Sequence, residues 1–150
     1  MGVMRNICSY KMPFPSSSIP ISSLTRMSAT VKDLFTHLYD LSPLELDLLL
    51  ILNRENEPLT VDQISKEADR DRTTVFKSLQ KLVKAGITNK ETTAIKDGGY
   101  YHVYSAIDME TFKLETQNRV NELKESLDRI LKKFEQDMNK AIESSYRKKM

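Results

Sequence analysis

The spacing of apolar residues changes repeatedly after Thr30, and each change predicts an element. Val31, Leu34, Phe35, Leu38 and Leu41 fall on one helical face behind Thr30, a suitable N-cap. Ser42-Pro43-Leu44-Glu45 then starts a second helix. Serine caps it, proline takes the first turn, and glutamate closes a capping box. Leu46 to Leu52 is apolar nearly all round, which predicts a deeply buried helix ending near Asn53-Arg54, before Pro58. Thr60 with Gln63 marks a third helix, whose inner face is Val61, Ile64 and Ala68. The break at Asp69-Arg70-Asp71 leads to a fourth helix over 72–85, with Asp71 as its cap. That helix is expected to bury Val75, Leu79, Leu82 and Val83 and to stop at Gly86 in a left-handed conformation. A strand-like run from Ile87 to Thr93, a turn at Asp97-Gly98-Gly99 and the run Tyr100 to Ala106 predict a hairpin. The helices and the hairpin share one small core.

Asp108 caps the last predicted element, which runs helically to about Lys149 without Gly or Pro. Val120, Leu123, Leu127, Ile130 and Phe134 keep a 3-4 spacing, and Met138, Ala141 and Ile142 continue after a four-residue shift of stutter type. Roughly 40 residues at 1.5 Å each give about 60 Å of helix, about twice the width of a small domain. The chain's own core cannot cover such a stripe, so a second copy of the same helix is its simplest partner. The other reading is a lone, charge-laced helix with a frayed end. The predicted organisation is a Ser/Pro-rich disordered tail over 1–29, a domain over 30–107 and a coiled-coil dimerisation helix over 108–150.

Composition changes this picture only locally. The 150 residues carry a net charge of +2, which says little about partners. From Val31 to Leu59 there are six acids and two bases, whereas from Arg70 to Lys84 there are five bases and one acid, Asp71. A local basic face matters more for attracting DNA than the overall balance, although a plain solvated helix face would look the same by charge alone. The single cysteine, Cys8, can form no intramolecular disulfide and supplies no metal cluster. No apolar run approaches the roughly 18 residues of a membrane span, so a cytoplasmic location without membrane attachment is expected. The tail holds Pro13, Pro15 and Pro20 among serines and lacks a signal-type apolar segment, and Met27 is an alternative start.

With Val75, Leu79 and Leu82 inward, the fourth helix presents Arg72, Thr73, Phe76, Lys77, Gln80 and Lys81 outward. Arg and Lys donate to guanine, Gln pairs with adenine, and an apolar ring meets a thymine methyl. Phe76 has an equally good alternative, packing against the first helix or the hairpin. Arg70, Thr73 and Thr74 lie where hydroxyls, a guanidinium and bare helix N–H groups suit a phosphate. The hairpin offers Lys90, Lys96, Gly98 and Tyr100 to the backbone, with Gly99 and Tyr101 beside them, while Val103 and Tyr104 read as packing residues. His102 reads as a surface strand residue and His37 as a neighbour of the first helix's stripe; neither has a metal-like spacing around it. There is no glycine-rich phosphate loop and no nucleophile motif. The expectation is therefore a non-enzyme without cofactor or metal.

Leu-Ser-Pro-Leu-Glu from Leu41, Leu59-Thr-Val-Asp-Gln-Ile, Asp71-Arg-Thr-Thr-Val-Phe-Lys-Ser-Leu-Gln-Lys-Leu-Val-Lys-Ala-Gly-Ile and Gly98-Gly-Tyr-Tyr-His-Val-Tyr together resemble the winged helix-turn-helix of archaeal TrmB-like regulators, with MarR-like proteins as wider relatives. The resemblance covers Leu41 to Asp108. It implies a mainly α fold with a β-hairpin wing, and DNA-reading positions at Arg72, Thr73, Thr74, Phe76 and Lys77. The inter-helix turn, often glycine with an apolar residue in such proteins, is Asp69-Arg70 here. Full-length TrmB-type regulators carry a sugar-binding domain after the wing, where this chain has one long helix. The resemblance thus implies DNA binding and transcriptional control without sugar sensing. The leading expectation is a homodimeric, sequence-specific transcriptional regulator of double-stranded DNA. The alternatives are a protein-interaction module whose long helix pairs with another chain, and a repressor answering to an unidentified small-molecule effector.

Overall fold

The helices that start at Val31, Pro43, Val61, Arg72 and Met109 each begin where a side chain meets the N–H groups that the first turn leaves bare. The computed structural model describes residues 20–149; residues 1–19, with Cys8 and most of the expected tail, and Met150 lie outside them. Within the tail region that is described, Ile21–Thr25 forms a short 3₁₀ helix. Helix α1, Val31–Leu38, has a capping box in which the Thr30 N–H donates to the Asp33 carboxylate at 2.9 Å. In α2, Pro43–Arg54, the Glu45 N–H donates to Ser42 Oγ at 3.2 Å and the Ser42 N–H to Glu45 Oε2 at 2.9 Å. Thr60 and Gln63 repeat this reciprocal pattern at α3, Val61–Ala68. Helix α4, Arg72–Lys84, is capped by Asp71.

Three of the helix ends share a device as well. Gly86 has φ 80°, and the Ile87 N–H donates back to the Leu82 carbonyl at 3.2 Å. Asp69, at φ 53°, takes the same place after α3, with the Arg70 N–H donating to the Ser65 carbonyl at 3.2 Å. Asp40, also at φ 53°, does so after α1, and the Leu41 N–H donates to the Thr36 carbonyl at 3.2 Å. The inter-helix turn therefore keeps its left-handed residue but fills the position with aspartate. Short polar side chains tolerate that conformation better than other non-glycine residues.

Strands β1 (Leu59–Thr60), β2 (Thr88–Ala94) and β3 (Tyr100–Ala106) form an antiparallel sheet in the order β1-β3-β2. The hairpin register runs from Thr88 opposite Ala106 to Ala94 opposite Tyr100. Its turn closes through Gly98 and Gly99, both at positive φ, with the Ile95 N–H donating to the Gly99 carbonyl at 3.0 Å. The short β1, which periodicity did not signal, pairs Leu59 with Tyr104 and Thr60 with Val103 and pins the start of α3 to the hairpin.

Leu48, Leu49 and Leu52 of α2, Ile64 of α3, Val75, Leu79 and Leu82 of α4, Ile87 and Tyr104 are the fully buried core. Val83 is only half-buried, and Val31, expected on the inner stripe of α1, is 61% exposed. Tyr104 packs as expected, yet its hydroxyl meets no hydrogen-bond partner among the described residues. A buried hydroxyl without a partner costs about 1–3 kcal/mol. Tyr104→Phe is accordingly expected to raise stability by about 1 kcal/mol in urea unfolding, and a drop in stability would show that the hydroxyl is satisfied. Burial pushes the phenol's pKa up. The neutral form suits the core, so this residue's contribution is constant below about pH 10 and fades only above it.

Residues from Ile107 onward form a second compact unit. The expected continuous helix is two helices, α5 (Met109–Lys132) and α6 (Phe134–Lys149). They part at Lys133, whose N–H donates to the Ile130 carbonyl at 3.2 Å in a tighter turn than the α-helix uses. The interruption falls one residue before Phe134, from which the four-residue shift of the apolar stripe runs to Met138. Among the described residues, no helix is long and apolar enough to cross a membrane.

Candidate nucleic-acid interface

Helix α4 packs on α2 and α3 through Val75, Leu79 and Leu82, and this fixes what its other side shows to solvent. Arg72, Thr73, Thr74, Phe76, Lys77 and Gln80 are all exposed, as is Arg70 in the turn before them. The first turn is organised by Asp71. Its carboxylate accepts from the Thr74 N–H at 3.0 Å and from the Thr74 hydroxyl at 2.6 Å, and these hydrogen bonds hold the Asp71 pKa below the usual carboxylate range. The cap is intact at neutral pH; it weakens only as pH falls through that lowered value, because the ionised form is the one the cap uses. With its amide and hydroxyl proton both turned to Asp71, Thr74 has no donor aimed at solvent, and Thr73 is left as the hydroxyl beside the helix start.

Two of the expected contact residues have protein partners that the sequence did not announce. Arg72 Nε lies 3.2 Å from Asp62 Oδ1 of α3, both side chains largely exposed. Such a pair contributes only about 0–1 kcal/mol, so the guanidinium can exchange it for a nucleic-acid acceptor at little cost. Lys81 differs more. Its Nζ donates to Glu45 Oε2 at 2.8 Å and to the Asp40 carbonyl. Glu45 is the same carboxylate that caps α2, and its side chain is only 12% exposed. Lys81 thus turns away from the outward set and ties α4 to the junction of α1 and α2. Helical spacing alone could not reveal this, because Asp40 and Glu45 reach Lys81 only once the three helices are packed.

In the wing, Lys90, Lys96, Gly98 and Tyr100 are exposed, with Tyr100 at 76%. His102 is an exposed strand residue within 3.1 Å of Thr92 Oγ1 on the neighbouring strand. His37 of α1 lies 3.2 Å from the buried Ser23 of the 3₁₀ helix. Among the described residues no three His, Cys, Asp or Glu side chains gather as metal ligands.

In the second unit, Leu127, Ile130, Phe134 and Met138 are between 48% and 60% exposed, and Ala141 is exposed. Val120 and Leu123 are half-buried. Ile142, the last residue of the expected stripe, is 48% exposed, and Leu131 and Tyr146, at 66% and 70%, widen the apolar surface beyond it.

Residues 36–110 match the family model described as sugar-specific transcriptional regulator TrmB. The chain is 42% identical over 59 residues to the uncharacterized protein MJ1503 of Methanocaldococcus jannaschii, a match covering 39% of this chain and 45% of that one. It is 32% identical over 81 residues to the uncharacterized protein MJ1082 of the same organism, covering 54% of this chain and 66% of that one. The matches thus span about half to two-thirds of those relatives. In structure, the chain resembles a possible transcriptional regulator of Methanosarcina mazei Go1, with a TM-score of 0.65 at 23% identity over 71% of this chain and 90% of that one. At that identity the likeness speaks for the fold.

Proposed function

The chain belongs to the TrmB family of transcriptional regulators, and from that membership we propose that it is a homodimeric, sequence-specific reader of double-stranded DNA. Helix α4 enters the major groove, and the wing lies on the flanking backbone. The observation that carries the reading is the outward face of α4, where Arg72, Thr73, Phe76, Lys77 and Gln80 stand exposed together on a helix anchored by Val75, Leu79 and Leu82. These side chains cover the donor, acceptor and apolar features that a major groove displays. Arg70 and Thr73 meet phosphate at the helix start, and Lys90, Lys96, Gly98 and Tyr100 serve the wing. Lys81 becomes a positioning residue that holds the angle of α4 through Glu45 and Asp40.

The exposed stripe on α5 and α6 is the dimer contact in this proposal. Two-fold symmetry then requires a roughly palindromic site, with half-sites about 10 bp or a multiple apart on one face of the duplex. Selection of binding sequences from a random DNA library, together with sedimentation of the free protein, tests it. The expected result is a dimer that enriches an inverted repeat, with log affinity falling linearly with log salt at a slope of about −0.9 per phosphate contact. A monomer that enriches no sequence would instead favour the interaction-module reading, in which the stripe pairs with a different chain.

A further inference from the structure

Phe76 is the large apolar side chain of α4 that stays exposed, at 36%, while Val75, Leu79 and Leu82 are fully buried. With Arg72 and Thr73 it lines a surface hollow of about 310 Å³. Phe76 stands four residues after Arg72 and three after Thr73, so it neighbours both on the helix surface. The hollow's lining offers the Phe76 ring, the hydroxyl and methyl of Thr73, and the Arg72 guanidinium. About a third of the Phe76 surface stays open to water, and folding this chain alone does not cover that part. A small apolar group carried on a polyanion, which the guanidinium attracts, would cover it.

We propose that Phe76 is a specificity-determining residue that reads the C5-methyl group of a thymine, with Arg72 and Thr73 framing that base. The thymine methyl is the apolar group on the major-groove edge of the standard base pairs, which makes it the feature of that edge that matches the Phe76 ring. Arg72 and Phe76 are four residues apart, about 6 Å along the helix axis. One base-pair step is about 3.4 Å. The thymine therefore lies within two base pairs of the base or phosphate that Arg72 meets. This inference rests on α4 being the DNA-reading helix.

The test is a methyl scan. Each thymine of the selected binding site is replaced by deoxyuridine, which removes one methyl and leaves the Watson–Crick edge unchanged, and the full chain is titrated against each duplex. Covering a methyl is worth about fourfold in affinity, so one thymine per half-site should show a drop of about that size, and about fifteenfold when both half-sites are changed. With Phe76→Ala the same replacement should have no effect, and with Phe76→Leu, which keeps an apolar side chain, part of the discrimination should return. Circular dichroism of both variants separates loss of reading from loss of fold, and the scan of the unaltered protein decides the matter even where a variant misfolds. A specific site whose thymines are all indifferent to removal of the methyl overturns this inference and leaves the DNA-reading proposal standing. So does a Phe76→Ala protein that keeps the same methyl sensitivity. Failure to enrich any site overturns both.

Discussion

Leu127→Glu is expected to separate the dimer into monomers and to weaken binding to a palindromic site by about 10²–10⁴, the largest effect expected of any single substitution in this chain. Leu127 is 49% exposed in one chain, and it sits in the run with Ile130 and Phe134, at 60% and 57%. Burying an uncompensated carboxylate in such a contact costs about 3 kcal/mol or more, upward of a hundredfold in the dimer constant. A two-fold interface carries the substitution twice. The stripe is covered whether the two copies run parallel or antiparallel, and a parallel pair that sets the two carboxylates side by side adds like-charge repulsion. Each monomer would keep its own α4 face, so binding to a single half-site should change little; only the gain from a linked second half-site disappears. Sedimentation at micromolar concentration, with titrations against whole and half sites, measures both consequences. A Leu127→Glu protein that still sediments as a dimer would mean that the two copies meet elsewhere, and the apolar surface widened by Leu131 and Tyr146 would be the next place to substitute.

That stripe also illustrates what a one-dimensional pattern can and cannot carry. Its 3-4 spacing was legible because helical periodicity is local and repeats. The break at Lys133 was not, since no Gly or Pro stands there; only the four-residue shift of the stripe marks its neighbourhood. The helix starts were legible for a similar reason. Ser42 with Glu45, and Thr60 with Gln63, place both partners of a reciprocal hydrogen-bond pair within three residues. Gly86 was legible because its positive φ suits glycine above all. Strand β1 escaped notice because a pair of residues has no period and acquires its conformation from β3, more than forty positions away. Lys81 and Arg72 escaped in the same manner. Whether a lysine on a helix faces solvent or a carboxylate depends on which capping box another helix brings beside it, and Glu45 is already occupied with its own cap when Lys81 arrives. The composition of the candidate face could thus be read in advance, while the division between contact and positioning residues required the packed helices.

Removing two side chains from the contact set should have the second large effect. Arg72→Ala with Lys77→Ala is expected to weaken specific binding by at least tenfold, because each bidentate hydrogen-bond pair to a base is worth about 1–3 kcal/mol. Both side chains are exposed, so the fold should survive the change. The exposed partner of Arg72, Asp62, is left solvated rather than buried, and its release has little effect on stability. Salt dependence then assigns each residue its role. A side chain that neutralises a phosphate lowers affinity for all sequences alike when removed, and the log–log salt slope becomes shallower by about 0.9 for each phosphate no longer neutralised. A side chain that reads a base leaves that slope nearly unchanged and lowers the preference for one base at one position. Arg72, framing the hollow beside Phe76, should behave in the second way, whereas Lys77 can act in either, and the slopes of the two single variants tell which. Lys81→Ala should follow neither pattern: with its ammonium on Glu45 and the Asp40 carbonyl, its removal should lower stability together with affinity and leave the salt slope where it was. If the Arg72 and Lys77 variants keep full affinity for selected and random DNA alike, α4 is not the helix in the groove.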